Sequence, residues 1–373
     1  MPTTQLSCTA CRRTFAPDEP RWKCDCGGLL DLLFEPAFRP GMVRGRKPTM
    51  WRYREAIPIA RDADVVTFDE GFTPLVEVDF SGRSVLIKQD QLFPTGSYKD
   101  RGASVLISQA RACGVDAVVE DSSGNAGCAV AAYSARAEIA CSIYVPADTA
   151  AAKLAQIRHY GGRLHRIPGS REDTARAVLK AAKKTYYASH SWNPFFFHGT
   201  KTFAYEICEQ LGWKAPDAVV LPVGNGTLLL GAAIGFEELL QARIIRRRPR
   251  LIAVQAKNCA PLFRAFMGTV PLSGTVPMRK TIAEGIAIAQ PVRARQILDA
   301  VRRSGGEFIA VTEGEIRQSL REMCRRGFYI EPTSAATTAG VAKYVKESPR
   351  RETVVSVFTG HGLKTTEKML KLL

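Results

Sequence analysis

From about residue 84 onward, short apolar runs alternate with longer helical patterns, and this alternation is the strongest constraint on the fold. Strands are predicted at 84–88, 116–120, 141–146, 163–167, 217–223, 250–256 and 354–360. Helices are predicted at 97–113, 125–136, 149–160, 170–184, 200–211 and 228–242. Buried β-branched strands that alternate with helices are typical of parallel βαβ units. The pattern therefore predicts an α/β fold.

Composition limits the class of protein. The chain has 373 residues and is 46% hydrophobic, which is enough for two domains rather than one. No run of about 18 apolar residues occurs, so we expect no membrane-spanning helix, and the N-terminus does not resemble a secretory signal. The net charge of +16 comes partly from arginine clusters, and no nucleic-acid module accompanies them. We expect a cytoplasmic protein that binds a small anionic molecule, not a nucleic acid or a membrane.

Four of the ten cysteines form a cluster near the N-terminus, Cys8 and Cys11 in CTAC and Cys24 and Cys26 in KCDCGG. Two cysteine knuckles on a short β-ribbon can place four thiolates tetrahedrally about a zinc ion. The second knuckle has one intervening residue instead of two, which departs from the usual spacing. The alternatives are free thiols or a site that has lost its metal. The remaining cysteines stand in apolar contexts and are interpreted as buried residues.

A single lysine, Lys99, stands where a loop turns into a helix in the stretch LFPTGSYKDRGAS. The start of a helix carries partial positive charge and disfavours an ammonium group. A neutral amine is therefore more accessible at this position, and a neutral amine is the nucleophile that Schiff-base formation needs. The alternative is a surface lysine followed by an acidic residue in the first helical turn.

Three other predicted strands end in small or polar residues. Ser122, Ser123, Gly124 and Asn125 open a helix after one strand, and free backbone amides at a helix start form an anion site of carboxylate size. The stretch VGNGTL, from Gly224 to Leu228, resembles a phosphate cradle without the lysine of a P-loop. Thr359 ends the last strand, before His361. Ligands of parallel sheets bind at such strand ends.

The amine, the two anion cradles and the strand-end hydroxyl together fit pyridoxal phosphate. The motifs PTGSYKDRG, SSGNAG, VGNG, EPTSAA and TGHGLK resemble, in order and spacing, those of the threonine synthase branch of the fold type II pyridoxal-phosphate-dependent lyases. The N-terminal cysteine segment is similar to the ribbon of threonine synthases. The resemblance implies a tryptophan synthase β-like fold, with two layered α/β domains behind a small zinc-ribbon-like segment.

The resemblance also implies domain boundaries and an assembly. Residues 1–35 would form the cysteine segment, residues 36–100 with 205–373 the large cofactor-binding domain, and residues 101–204 the small domain. Members of this family are commonly homodimers, and we carry that expectation over by analogy.

Each matched residue gains an implied role. Lys99 would form the Schiff base with the cofactor, Asn125 would bond to the ring oxygen, and Thr359 would face the ring nitrogen. A hydroxyl at that position need not keep the nitrogen protonated, which suits elimination and replacement reactions better than transamination. The implied ligands of the cofactor phosphate are Gly224, Asn225, Gly226, Thr227 and Leu228, and those of the substrate are Ser122, Ser123, Asn193 and His198.

The implied reaction converts O-phospho-L-homoserine and water to L-threonine and phosphate, with Lys99 as the general base and acid. One position departs from the family pattern, because Phe196 stands where threonine synthases usually have an arginine that binds the substrate phosphate. His198 and Lys201 are nearby substitutes, and the aromatic residues 195–197 could also be core. The segment 281–291 is closer to the dehydratase pattern. The alternatives are therefore a β-eliminating or β-replacing enzyme, such as a serine/threonine dehydratase, a cysteine synthase or a cysteate synthase, and a non-catalytic paralogue.

Overall fold

The chain divides into two units in a computed structural model that describes residues 4–149, 151–169, 171–271 and 278–372. Unit 1 comprises Met1–Gly71 and Lys99–Thr200, and unit 2 comprises Phe72–Tyr98 and Lys201–Leu373. The chain therefore passes from unit 1 to unit 2 at residue 72, returns at Lys99, and passes back at Lys201.

The strands are numbered in chain order. They are β1 Gln5–Cys8, β2 Thr14–Phe15, β3 Leu30–Leu33, β4 Leu75–Asp79, β5 Ser84–Lys88, β6 Ala117–Glu120, β7 Ala140–Pro146, β8 Arg163–Ile167, β9 Tyr186–Tyr187, β10 Ala218–Pro222, β11 Arg250–Ala256, β12 Glu307–Val311 and β13 Val354–Val357.

The α-helices are α1 Lys99–Ala112, α2 Asn125–Arg136, α3 Ala151–His159, α4 Arg171–Ala181, α5 Pro194–Thr200, α6 Thr202–Gln210, α7 Thr227–Gln241, α8 Pro261–Phe266, α9 Ala294–Arg303, α10 Glu313–Arg325, α11 Pro332–Glu347 and α12 Thr366–Leu372. Short 3-10 helices lie at Pro40–Val43, Met50–Ala56, Asp62–Asp64, Asp90–Leu92, Glu284–Ile286 and Gly362–Thr365. In the part of the chain that the structure describes, no helix combines the length and the apolar character needed to cross a bilayer.

Unit 2 is built on a six-stranded sheet in the order β12-β11-β10-β13-β5-β4, in which only the β4–β5 pair is antiparallel. Its core joins Val220, Ile252 and Val254 of the sheet to alanines of α11. Helix α11 lies very close to the sheet at Gly340, where a Cβ would be 2.4 Å from the Val254 side chain. Burial of the strands on both faces explains their continuous β-branched sequences.

Unit 1 contains the parallel sheet β8-β7-β6-β9 and the antiparallel ribbon β2-β1-β3. Helices α1 and α2 pack with the sheet through small and apolar residues, among them Ala103, Leu106, Ala129 and Ile143. Both sheets confirm the predicted α/β class with parallel βαβ units.

The structure groups residues 36–71 with unit 1, whereas the sequence analysis placed them with the large domain. The physical reason is a hydrophobic cluster in which Met50, Ile57 and Ile59 pack with Leu6 of the ribbon and Val105 of α1. The apolar residues of this connector are therefore buried within unit 1.

Most of the predicted elements are observed within a few residues of their expected bounds, and β5, β8, β11 and α2 match them fully. The last strand ends at Val357 rather than at residue 360. Residues beyond it leave the sheet, because Gly360 forms a bridge with Ser97, and His361 forms one with Ile330. Residue 150, the second residue of the predicted helix 149–160, and residue 170, the first of the predicted helix 170–184, lie outside the described residues.

Candidate functional site

Lys99 is the first residue of α1, and the backbone before it is fixed within unit 2. The Tyr98 N–H donates to the Thr359 carbonyl at 3.0 Å, and the His361 N–H donates to the Gly96 carbonyl at 2.9 Å. Lys364 Nζ donates to the Thr95 carbonyl at 2.6 Å. The segment that delivers the predicted catalytic lysine is therefore bound to the loop after β13, about 260 residues away in sequence.

The Lys99 side chain is partly exposed, while the next residues of α1 are buried. Asp100 and Arg101 have no exposed surface. Gly199 of α5 lies so close to α1 that a Cβ there would be 2.0 Å from the Arg101 carbonyl oxygen. The start of α1 is thus held firmly, and the amine extends from a rigid backbone.

The loop Ser122–Asn125 lies in unit 1 at the carboxyl end of β6 and opens α2, as predicted. Gly124 is the N-cap residue and has no side chain that could accept the first helical N–H groups. Ser122 Oγ accepts the Gly124 N–H at 3.3 Å. At Gly127 a Cβ would lie 1.8 Å from the Ser122 carbonyl oxygen, so this glycine is needed for the loop to fold over the helix. The arrangement places the start of a helix at an accessible position, and the backbone donors of a helix N-terminus fit a carboxylate.

The loop Gly224–Leu228 lies in unit 2 between β10 and α7, and Gly226 is the N-cap residue with φ of 70°. A Cβ on Gly226 would lie 2.4 Å from Ile297, and one on Gly224 would lie 2.9 Å from the Ile286 backbone. The Leu230 N–H donates to the Gly226 carbonyl at 2.8 Å, as in a regular α-helix. The N–H groups before it belong to the start of a 15-residue helix, and the backbone donors of a helix N-terminus fit a phosphate.

Tyr98 connects this loop to the lysine segment within unit 2. Its hydroxyl oxygen lies 2.8 Å from Thr227 Oγ1. The sequence analysis did not assign Tyr98 a role, because no local pattern relates residue 98 to residue 227.

Thr359 is fully buried in unit 2 and forms a hydrogen-bond network with two residues of the EPTSAA motif. Its Oγ1 donates to Glu331 Oε1 at 2.9 Å and lies 3.0 Å from Ser334 Oγ. The Thr359 N–H donates to Ser334 Oγ at 2.8 Å. Neither Glu331 nor Ser334 was predicted as a site residue, although the motif that contains them was recognised.

Asn193 and His198, both predicted to contact the substrate, are buried in unit 1. Asn193 Nδ2 donates to the Tyr186 hydroxyl at 2.5 Å, and Asn193 Oδ1 accepts the Phe195 N–H at 3.1 Å. The His198 ring stands edge-on to Phe34, with the ring centroids 6.0 Å apart. The amide of Asn193 therefore holds the start of α5, and its contact with the substrate stays a prediction.

Phe196 has no exposed surface and belongs to the core of unit 1. A Cβ on Gly102 would lie 2.3 Å from its ring, and its centroid lies 6.1 Å from that of His190. Phe195 and Phe197 are also buried. Of the two interpretations that the sequence allowed for these aromatic residues, the structure supports the core.

Lys201, the other basic residue considered for the substrate phosphate, is fully buried in unit 2 and bonds to Glu238 at 2.6 Å. Burial lowers the pKa of Lys201 and raises that of Glu238, and the attraction between the two groups opposes both shifts. Tyr205 also donates to Glu238, at 2.9 Å. The Lys201 ammonium is therefore engaged by an internal carboxylate.

The four ribbon cysteines come together in unit 1, with all sulfur atoms within 4.8 Å of one another. Cys8 and Cys26 sulfurs are 3.5 Å apart, and Cys11 and Cys24 sulfurs are 3.6 Å apart. A tetrahedral zinc site with Zn–S bonds of about 2.3 Å requires sulfurs about 3.8 Å apart, so the geometry fits that metal. The Cys11 N–H that points at Cys8 contributes most to lowering the pKa of Cys8 to about 6, which favours a thiolate.

Comparison with protein families gives one match that covers most of the chain. The family model described as "Pyridoxal-phosphate dependent enzyme" matches residues 66–360. This range contains Lys99, both glycine loops and Thr359, and it excludes the cysteine ribbon.

Curated relatives extend over nearly the whole chain. The threonine synthase of Methanocaldococcus jannaschii is 35% identical over 98% of this chain and 94% of its own length. That of Methanosarcina acetivorans is 33% identical over 98% of this chain and 93% of its own length. That of Mycobacterium bovis is 36% identical over 86% of this chain and 89% of its own length.

Solved structures share the fold at lower identity. Threonine deaminase isoform 2 from Solanum lycopersicum superimposes with a TM-score of 0.70 at 22% identity, over 90% of this chain and 92% of that one. Maize serine racemase gives a TM-score of 0.66 at 21% identity, over 81% of this chain and 93% of that one. Both likenesses identify the fold type II architecture that the motifs implied.

Proposed function

Since the chain belongs to the pyridoxal-phosphate-dependent enzyme family, and within it to the threonine synthases, we propose that it converts O-phospho-L-homoserine and water to L-threonine and phosphate. The observation that carries the proposal is Lys99 at the start of α1, on a backbone bound to the loop after β13. The family requires such an amine at the end of the PTGSYK motif. A non-catalytic paralogue has no need to keep it.

The residues that the motifs predicted would hold the cofactor and the substrate. Lys99 would form the covalent link to the cofactor, Asn125 would bond to its ring oxygen, and Thr359 would face its ring nitrogen. The N–H groups of Gly224–Leu228 and the Thr227 hydroxyl would hold its phosphate, and the place of these residues at the start of α7 supports that role. When bound, pyridoxal phosphate supplies an aldehyde for the substrate amine and a ring that withdraws electrons from the substrate carbons.

The chain's own groups would bind the substrate and move protons. Ser122, Ser123 and the N–H groups at the start of α2 bind the substrate carboxylate. The Lys99 amine would remove protons at Cα and Cβ and return protons at Cγ and Cα, as general base and acid. Phosphate leaves from Cγ, and the hydroxyl group of water adds at Cβ.

Two experiments test this proposal. Borohydride reduction of the cofactor-loaded protein, followed by peptide mapping, is expected to label Lys99. Incubation with O-phospho-L-homoserine is expected to release phosphate and form threonine. An unlabelled Lys99 would reject cofactor chemistry altogether, whereas a labelled protein that releases no phosphate would reject only the substrate.

One observation favours a second candidate, a β-eliminating or β-replacing enzyme that acts on an amino acid without a phosphate. Phe196 is buried in the core, so this position supplies no cation for a substrate phosphate. Lys201 is bonded to Glu238, so it does not supply the missing cation either. Ammonia release from serine or threonine, without phosphate release from O-phospho-L-homoserine, would identify the dehydratase reaction.

We further propose that Cys8, Cys11, Cys24 and Cys26 bind a structural zinc ion, supported by their sulfur distances. Zinc would link the two knuckles of the ribbon, which has only three short strands. Metal analysis of the purified protein should find one zinc ion per chain, and the Cys8→Ser variant should lose it. If the wild-type protein, kept reduced and supplied with zinc, still contains no zinc, the site is rejected.

A cytoplasmic homodimer is also part of the proposal, supported by the family resemblance. The strongly basic balance, +16, suits an anionic amino-acid substrate. Light scattering at several protein concentrations measures the mass in solution, and a mass of one chain throughout would reject the dimer.

A further inference from the structure

The hydroxyl groups of Ser334 and Thr359 form a hydrogen-bond chain that ends on the Glu331 carboxylate. Both hydroxyl residues have no exposed surface, and Glu331 is 7% exposed. Ser334 Oγ accepts the Thr359 N–H at 2.8 Å and the Gly360 N–H at 3.3 Å. These two donors occupy the lone pairs of Ser334 Oγ, so Ser334 has only its own hydrogen left to offer.

The direction of the next hydrogen bonds follows. Ser334 Oγ lies 3.0 Å from Thr359 Oγ1, so the Ser334 hydroxyl donates to Thr359. Thr359 Oγ1 lies 2.9 Å from Glu331 Oε1, and a carboxylate can only accept, so the Thr359 hydroxyl donates to Glu331. Thr359 has then used its hydrogen and one lone pair. The remaining lone pair can serve a further group only as an acceptor.

The Glu331 carboxylate is held in place by its neighbours. The Glu331 N–H donates to the Gly360 carbonyl at 2.9 Å. At Gly360 a Cβ would lie 2.4 Å from Glu331 Cδ, so the carboxylate occupies the space that any other residue at position 360 would take. Glu331 also precedes Pro332, the first residue of α11, whose fixed backbone limits its movement.

We propose that Glu331 is a positioning residue that acts through Thr359 to keep the ring nitrogen of bound pyridoxal phosphate protonated. The inference rests on the proposed function, in which Thr359 faces that nitrogen. An unprotonated nitrogen would meet the lone pair of Thr359 with no hydrogen between the two acceptors. A protonated nitrogen donates to that lone pair and completes the hydrogen bonding of Thr359. The proposal reverses the expectation, drawn from the Thr359 hydroxyl alone, that the nitrogen need not carry a proton.

The test is nitrogen NMR of the protein loaded with pyridoxal phosphate that carries nitrogen-15 in its ring. Free cofactor in its pyridinium and pyridine forms supplies the two reference shifts. The wild-type signal should lie at the pyridinium reference at neutral pH. In Glu331→Gln the amide can donate to Thr359, which frees the Thr359 hydrogen for the ring, so the signal should move to the pyridine reference.

Two further variants separate this role from a merely structural one. Thr359→Ser keeps the hydroxyl and should retain the wild-type signal, and Glu237→Gln removes an exposed carboxylate of unit 2 and should do the same. A wild-type signal at the pyridine reference, or equal signals in wild type and Glu331→Gln, would overturn the inference while the proposed function stands. A wild-type signal at the pyridine reference overturns the inference even if Glu331→Gln does not fold. A protein that takes up no cofactor would reject the proposed function, and this inference with it.

Discussion

The burial of Phe196 predicts a large loss of stability when its ring is removed. The side chain has no exposed surface, and it fills the space left by Gly102 on α1. A phenylalanine buries roughly 150–250 Å², which at about 25 cal/mol per Å² corresponds to about 4–6 kcal/mol. Measured Phe→Ala substitutions in cores cost about 3–5 kcal/mol, because the site collapses partly. We therefore expect Phe196→Ala to lower the free energy of unfolding by about 3–5 kcal/mol.

Urea denaturation of the wild type and the variant measures this difference from the two transition midpoints. The matched control is Phe68→Ala, also in unit 1, because Phe68 is 43% exposed and should lose much less. An unchanged midpoint for Phe196→Ala would refute the reasoning. It would mean that the side chain does not support the core and that position 196 is open to a substrate.

Three further substitutions have expected outcomes. Lys99→Ala should abolish the covalent link to the cofactor, seen as loss of its visible absorbance, while circular dichroism stays unchanged. Tyr98→Phe removes the hydrogen bond to Thr227 and should weaken cofactor binding by about 0.5–1.5 kcal/mol. Titration of the cofactor-free protein with cofactor measures the affinity, and an unchanged affinity would contradict the assigned contact. Lys201→Met leaves Glu238 buried without its cation and should lower the free energy of unfolding by about 3–5 kcal/mol, measured by thermal unfolding. A smaller loss of stability in the double variant Lys201→Met with Glu238→Leu would confirm the pairing.

Two of the elements that sequence reasoning found, β11 and α2, are buried along most of their length. β11 is buried at nearly every position and reads as one apolar run, and α2 is rich in buried alanine. α10 was missed although it carries a clear signal, a capping box in which Thr312 and Glu315 bond to each other's backbone N–H groups. The sequence therefore contains the signal needed to predict the start of α10.

Other features are beyond local patterns. The pairing of Gly96–Tyr98 with Thr359–His361 joins residues that are far apart in the chain, and no periodicity predicts such a pair. The same is true of the burial of Phe196, which depends on the absence of a side chain at Gly102. The motifs located the candidate site, but only packing decides which of its residues face a ligand and which support the fold.

The proposed carboxylate site at the start of α2 predicts that binding and stability conflict at this helix end. In α10 the Thr312 side chain caps the N-terminus, whereas the N-cap residue of α2 is Gly124, which has no side chain to accept a helical N–H. A side chain would fit there, because a Cβ on Gly124 would meet only Ser122 Oγ, at 3.9 Å, and its φ of −108° suits any residue. Asp at this position would accept the helical N–H groups, which should add a few tenths of a kcal/mol to the free energy of unfolding. The smaller freedom of the unfolded chain should add about 0.4–1 kcal/mol more.

If those N–H groups bind the substrate carboxylate, the same substitution should raise the substrate KM at least tenfold, because the new carboxylate occupies the site and repels the ligand. Gly314→Asp is the matched control, since a Cβ on Gly314 would also meet only a hydroxyl oxygen, Thr312 Oγ1 at 3.9 Å, and it lies in the first turn of α10. It should leave the KM unchanged. A Gly124→Asp enzyme that is more stable and binds its substrate as well as the wild type would show that the start of α2 is an ordinary helix end, and that the carboxylate is held elsewhere.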